Sequence, residues 1–83
     1  MEKYCNLQKY FEGQNKSPVA LSFEEIEEIL GFELPSTAIN QRSWWGNEDI
    51  ETTRHSQCRA WRNAGWKVES VDLNEKKVAF SRE

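Results

Sequence analysis

The fold is decided by the C-terminal stretch RHSQCRAWRNAGWKVESVDLNEKKVAFSR, which occupies residues 54–82. Four residues of its first half share one side at helical spacing, namely Gln57, Ala60, Trp61 and Ala64. This pattern predicts an amphipathic helix over residues 54–64 that ends at Gly65. Cationic and polar side chains occupy the opposite side, so we expect the exposed face of this helix to be basic.

The second half of the stretch has the pattern of a β-hairpin. Residues 66–73 and 78–82 are predicted strands, and residues 74–77 form the predicted turn. The register that places most apolar side chains on one face gives three cross-strand pairs, which are Leu73 with Val78, Val71 with Phe80 and Glu69 with Arg82. The last pair would be a favourable ion pair.

The N-terminal half of the chain contains a strong helix signal. Ser22 and Glu25 stand three residues apart, as in a capping box, and Gly31 supplies the stop. We therefore predict a helix over residues 23–30 with its glutamates facing water. Three weaker elements are expected, namely a helix over residues 3–12, an extended run over residues 18–21 and a short helix from Ser36 to about Trp45.

This order of elements predicts a small α+β domain with three to four helices and a C-terminal β-hairpin. The order resembles that of a winged-helix domain, in which the first short strand joins the hairpin and the helix before the hairpin is presented to DNA. The connection from Gly31 to Thr53 departs from that pattern, because a tight helix-turn-helix uses a turn of about 3–4 residues.

A second resemblance rests on specific residues. They are Leu34-Pro35-x-x-Ala38, Trp44-Trp45-x-Asn47, Gln57-x-x-Ala60-Trp61-x-x-Ala64-Gly65-Trp66-x-Val68 and Val78-x-Phe80-x-Arg82. These motifs resemble a small domain of unknown function from bacterial, archaeal and phage proteins. The resemblance covers roughly residues 4–82 and implies a discrete domain of this size, without an activity or a ligand.

Length and composition limit the function classes. The chain has 83 residues and is 37% hydrophobic, which predicts one small domain over residues 1–83. We find no apolar run long enough to cross a membrane and no signal-peptide pattern. Cys5 and Cys58 belong to no paired motif, so we expect reduced thiols and a cytoplasmic protein.

Arginine and tryptophan coincide in the middle of the chain. All four tryptophans lie between residues 44 and 66, and four of the five arginines lie between residues 42 and 62. Arginine pairs with phosphate, and arginine and tryptophan planes stack on bases. The sequence therefore favours a nucleic-acid-binding module, with contacts from Arg42, Arg54, His55, Arg59, Arg62, Asn63, Lys76 and Lys77.

The tryptophans also have a structural interpretation, because a small domain needs large core side chains. Trp61 and Trp66 are expected in the core. Neighbours on a helix or strand point in different directions, so one of Trp44 and Trp45 is expected to be buried and the other partly exposed. Periodicity does not distinguish the two, and the exposed one is the candidate contact residue.

Catalytic and metal sites are not expected. His55 and Cys58 are three residues apart, but structural zinc needs four ligands. No nucleophile motif or glycine-rich phosphate loop is present. We therefore predict a protein without catalytic residues, metal or cofactor.

The uneven charge supports an alternative function. The net charge is −3, residues 1–35 are net negative and residues 36–67 net positive. The acidic helix and the Trp-rich segment would suit a protein-interaction module, or a small phage-type inhibitor of a nucleic-acid-processing protein. The expected partner is thus nucleic acid or a larger protein, and a homodimer is compatible with either.

Overall fold

The computed structural model describes residues 3–48, 51 and 56–83. Its helices are α1 (Cys5–Glu12), α2 (Phe23–Leu30), α3 (Ser36–Asn40), a 3₁₀ helix (Arg42–Trp45) and α4 (Ser56–Arg62), and its strands are β1 (Val19–Ser22), β2 (Trp66–Asp72) and β3 (Lys77–Arg82). The three strands form one antiparallel sheet in the order β1-β3-β2. The predicted α+β class and element order are confirmed.

Helix α2 forms as local signals predict. The Ser22 hydroxyl accepts a hydrogen bond from the Glu25 N–H, and the Glu25 carboxylate accepts one from the Ser22 N–H. Gly31 ends the helix in the left-handed region, with φ at 85°. One expectation is wrong, because Glu27 is half-buried and its carboxylate accepts the Leu34 N–H at 2.8 Å. This bond fixes the chain where it leaves α2.

The predicted hairpin register is wrong. Val71 pairs with Val78, not Phe80, and the pairing slips again between Val68 and Ser70 at a β-bulge. The slip leaves Glu69 out of the ladder, so the expected pair with Arg82 does not form. The Glu69 carboxylate instead accepts the Ser81 hydroxyl and lies 3.5 Å from the Lys67 ammonium.

The turn explains the shift at the hairpin tip. Asp72 accepts hydrogen bonds from the backbone N–H groups of Asn74 and Glu75, both at 3.0 Å. Lys76 takes a left-handed conformation with φ at 56°, and Lys77 then pairs with Asp72. The turn therefore spans residues 73–76, one residue earlier than the sequence predicts.

The expected helix from Ser36 to Trp45 is interrupted. Gln41 is extended, with φ at −125° and ψ at 119°, so α3 ends before it and the 3₁₀ helix begins after it. Helix α3 begins at Ser36 as predicted, and Pro35 precedes it without a side-chain capping hydrogen bond. The break turns the following segment onto the sheet edge.

Side chains cover part of the open backbone at both sheet edges. On β2, Asn47 exchanges two 2.8 Å hydrogen bonds with the backbone of Val68, and the Arg42 guanidinium donates to the Val71 carbonyl at 2.6 Å. On β1, the Ser22 N–H donates a hydrogen bond to the capping carboxylate of Glu25. Unpaired strand edges invite further strand addition, and these contacts reduce that tendency.

Aromatic rings dominate the core between the helices and the sheet. Trp61 is fully buried and stacks near Trp45, with centroids 6.0 Å apart. Trp66 is also fully buried and packs 5.3 Å from Phe11, while the Arg82 guanidinium lies over its ring. The expectation that Trp61 and Trp66 belong to the core is confirmed. Neither can contact a ligand.

Candidate interaction surfaces

Helix α4 presents a polar stripe to the surface. Its buried residues are Gln57, Cys58, Ala60 and Trp61. Arg59 and Arg62 are half-buried, and Asn63 is exposed just beyond the helix. Arg62 forms an ion pair with Glu83 at 2.8 Å, which neutralises part of the stripe. Arg54 and His55 lie outside the described residues.

The other predicted cations lie elsewhere. Arg42 is exposed but holds the Val71 carbonyl through its guanidinium. Lys76 and Lys77 are exposed at the hairpin turn. The Lys76 carbonyl accepts the Phe23 N–H at 2.8 Å, which places this turn against the start of α2.

The structure does not bring these cations together. Arg62 and Glu83 lie at one end of β3, and Lys77 begins its other end. Six residues of strand span about 20 Å. The described members of the predicted nucleic-acid contacts are therefore divided between two ends of the domain, with Arg42 at the edge of β2.

The structure distinguishes the two adjacent tryptophans. Trp45 is 2% exposed, and its indole N–H donates to the Ala38 carbonyl at 2.8 Å. Trp44 is half-buried and meets both Trp45 and Tyr4 edge to face, with centroids 4.6 and 5.9 Å away. Burial raises the pKa of Tyr4, so this phenol stays neutral. Trp44 is the tryptophan available for contact.

Trp44 borders a groove of about 440 Å³, hereafter the Trp44 groove. It is lined by Thr37, Gln41, Ser43, Trp44, Glu48 and Gln57. Gln57 is buried, and its side-chain amide donates to the Trp44 carbonyl at 3.2 Å. Arg59 and Arg62 point about 140–160° away from Gln57 around α4 at 100° per residue, so the groove and the polar stripe face different directions.

A second groove, of about 510 Å³, opens between α2 and the hairpin turn. This acidic groove is lined by Ser22, Phe23, Glu24, Glu27, Ile39, Glu75 and Lys76. Phe23 is buried and Ile39 is half-buried, and both belong to the apolar core or pack against it. The groove thus combines an apolar floor with carboxylates from two separate elements.

The carboxylates around the acidic groove form no ion pair with any cation that the structure describes. Among the described residues, the two ion pairs join Arg62 to Glu83 and Lys67 to Glu69. Neither includes a glutamate of α2 or Glu75. The segment from Ser22 to Glu33 carries five glutamates and no lysine or arginine. Its negative potential is therefore available to a partner.

The side chains of Ser81 and Lys67 change the pKa of Glu69. The hydrogen bond from the Ser81 hydroxyl, followed by the charge of Lys67, lowers the pKa of this carboxyl. Since Glu69 lies in an exposed bulge away from both grooves, we regard this shift as structural.

The described residues offer no metal centre. In the parts of the chain that the structure describes, no three histidine, cysteine or acidic side chains are placed so that they could hold a metal ion together. Cys58 is fully buried, Cys5 is half-buried, and neither belongs to a disulfide. No helix among these residues is long and apolar enough to cross a membrane.

Sequence reasoning missed the most connected polar residue. Besides its bonds to Val68, Asn47 accepts the indole N–H of Trp61 at 3.1 Å. The available signal was its position in the Trp44-Trp45-x-Asn47 motif. Many residues of the quoted motifs are structural here, since Leu34, Ala38 and Phe80 are all buried.

Comparison with known proteins identifies a family for this chain but no activity. A family model described as Domain of unknown function (DUF7662) matches residues 4–83. Searches of curated proteins and of solved structures found no match. Because the family model covers nearly the whole chain, the protein belongs to the DUF7662 family of domains of unknown function.

Proposed function

We propose that this protein is a non-catalytic interaction module whose acidic groove binds a basic segment of a larger protein. The observation that supports this proposal most is the lining of the acidic groove. Carboxylates of Glu24, Glu27 and Glu75 surround an apolar floor there, and Lys76 is the one cation among its described lining residues.

The physical argument combines charge and shape. A partner lysine or arginine near Glu24 and Glu75 gains attraction without displacing an existing ion pair between described residues. An apolar side chain of the same partner can cover Ile39, which is half-buried. Charge then sets the association rate and orientation, while apolar contact adds affinity.

The partner chemistry also indicates a class of protein. Proteins that process nucleic acid carry basic surfaces to hold phosphate, and a small acidic protein can occupy such a surface. The net charge of −3 is compatible with that role. We therefore propose that the protein inhibits a nucleic-acid-processing protein by binding to its basic surface.

A basic peptide tests the proposal. We expect a labelled 12-residue peptide of alternating lysine and leucine to bind, with affinity that falls between about 50 and about 500 mM salt because exposed charges are screened. Changing Glu24→Gln together with Glu75→Gln should weaken binding about three- to tenfold.

The matched control keeps the net charge of that variant. Glu12→Gln with Glu33→Gln also removes two exposed carboxylates, neither of which lines the acidic groove. This control should bind nearly as well as the unchanged protein. Equal weakening by both double variants would show that only overall charge matters and would refute the groove.

A second candidate function is nucleic-acid binding by α4. Its support is the fold, because β1 pairs with the hairpin and α4 precedes the hairpin, an order that resembles a winged-helix domain. The polar stripe of Arg59, Arg62 and Asn63 lies on the surface side of that helix. The acidic groove and the divided cations favour the first proposal over this one.

The two candidates predict opposite results with DNA. If α4 binds nucleic acid, mixed-sequence duplex should bind with steep salt dependence, and Arg59→Ala with Arg62→Ala should weaken it without a large change in melting temperature. The ion pair that Arg62 makes with Glu83 is partly exposed at the surface, and surface ion pairs contribute only about 0–1 kcal/mol to stability. No binding at low salt would eliminate this candidate.

A further inference from the structure

We propose that the Trp44 groove is a binding site for a nucleobase. This site is separate from the acidic groove, and the proposal does not depend on the function proposed above. It rests on the one accessible indole, the amide and hydroxyl groups around it, and the absence of a cation among the described lining residues.

The indole is held in place before any ligand arrives. Trp44 is braced edge-on by Trp45 and by Tyr4, so its ring has little freedom to rotate. The other three tryptophans are at most 2% exposed. A ring fixed in advance loses little conformational entropy on binding, and aromatic side chains stack on every base because each base has a π-face.

The polar lining matches the edge of a base. Gln41 is exposed at the rim, and a glutamine side chain carries two donors and a carbonyl acceptor. Such an amide pairs bidentately with adenine. The hydroxyls of Thr37 and Ser43 add further donors and acceptors. A volume of about 440 Å³ falls within the range of small-molecule sites.

The charge of the groove restricts the ligand further. Its described lining contains the carboxylate of Glu48 and no lysine, arginine or histidine. Phosphate binding relies on cations or helix N-termini, so the groove should recognise the base and not the phosphate. The base could come from a free nucleoside or from an unpaired position in a single strand, and both present the same ring.

Four ligands distinguish these sources. Adenosine, adenosine monophosphate, a single-stranded oligo-dA and a mixed-sequence duplex are titrated while tryptophan fluorescence is followed. Binding by adenosine identifies a free nucleoside as sufficient, and binding by oligo-dA alone identifies an unpaired base of a strand. In either case affinity should change little with salt, and the monophosphate should bind no better than adenosine.

Two variants test the assigned residues. Trp44→Ala should weaken binding at least about tenfold by removing the stack. Gln41→Ala should weaken it about three- to tenfold, since the backbone bonds of Gln41 do not involve its side chain. Gln8→Ala is the matched control, because it removes a glutamine amide of α1 that bonds only Glu12.

Three results would overturn the site. They are no binding of adenosine or oligo-dA at millimolar concentration, binding by duplex alone, and binding that survives Gln41→Ala and Trp44→Ala unchanged. If Trp44→Ala fails to fold, Gln41→Ala and Trp44→Phe decide the question, since phenylalanine keeps a ring against Tyr4 and Trp45. None of these results bears on the acidic groove, whose test uses a peptide and different residues.

Discussion

Replacing Asn47 by alanine should destabilise this protein more than any other exposed polar substitution. The Asn47 amide makes three hydrogen bonds, two with the Val68 backbone and one with the indole N–H of Trp61. The Val68 bonds lie at the surface, where water can replace them, while the indole bond is partly buried. Net values near 1 kcal/mol per bond give a total of about 2–3 kcal/mol.

That loss is large for a chain of this size. About 0.05–0.15 kcal/mol per residue gives a total stability of about 4–12 kcal/mol for 83 residues. Asn47→Ala should therefore lower the melting temperature by about 8–20 °C. Urea unfolding followed by tryptophan fluorescence measures the free energy directly, and an unchanged m-value would show that the unfolded state is not altered.

The matched control is Asn63→Ala. Asn63 is exposed, and its side chain forms no hydrogen bond with another residue that the structure describes, so its replacement should change stability by less than about 0.5 kcal/mol. Asn47→Asp keeps the acceptor for Trp61 but turns a carboxylate toward the Val68 carbonyl, so it should be at least as harmful as Asn47→Ala at neutral pH. Equal costs for Asn47→Ala and Asn63→Ala would refute the role assigned to Asn47.

Three further outcomes follow from the packing and the electrostatics. Trp61→Ala empties the centre of the core and should cost about 3–5 kcal/mol, so a mutant with an unchanged urea midpoint would show that Trp61 is misplaced. Ser81→Ala should return the lowered pKa of Glu69 toward its ordinary value, as an NMR titration of that carboxyl would show. Because that pKa is lowered on folding, Glu69 contributes stability above its unfolded pKa, and the contribution is lost as the pH falls through the folded value. Gly31→Ala meets no atom within 4 Å but forces alanine to φ 85°, so it should cost about 1–2 kcal/mol, and a calorimetric scan without a lower melting temperature would contradict this.

Local signals predicted the elements of this fold, because they act within a few residues. The capping box of Ser22 and Glu25 and the stop at Gly31 need no tertiary contact, and α2 begins and ends where they predict. The apolar spacing around Trp61 likewise identified the buried side of α4.

Features set by distant contacts could not be predicted from the sequence. The strand register depends on a bulge at Glu69 and on the Asp72 turn, and a slip by two residues keeps the same face inward. Asn47 bonds to residues 14 and 21 positions away. Which of two adjacent tryptophans is buried depends on the Ala38 carbonyl that Trp45 reaches.

The two grooves likewise could not be predicted from the sequence. Counting charges identified an acidic first half and a basic middle, but the sequence contained no sign that a hairpin turn would bring Glu75 to α2. The sequence also contained no sign that the Arg42 guanidinium would donate a hydrogen bond to the Val71 carbonyl. Helical periodicity assigned residues to faces of one helix, whereas grooves form between elements.

Backbone NMR during a titration with the lysine–leucine peptide is the most direct test of whether the acidic groove binds a basic segment. We expect amide shifts to concentrate at Phe23, Glu24, Ile39, Glu75 and Lys76, and to diminish when salt rises. Shifts centred on Arg59 and Asn63, or spread evenly over the surface with no dependence on Glu24, would contradict it.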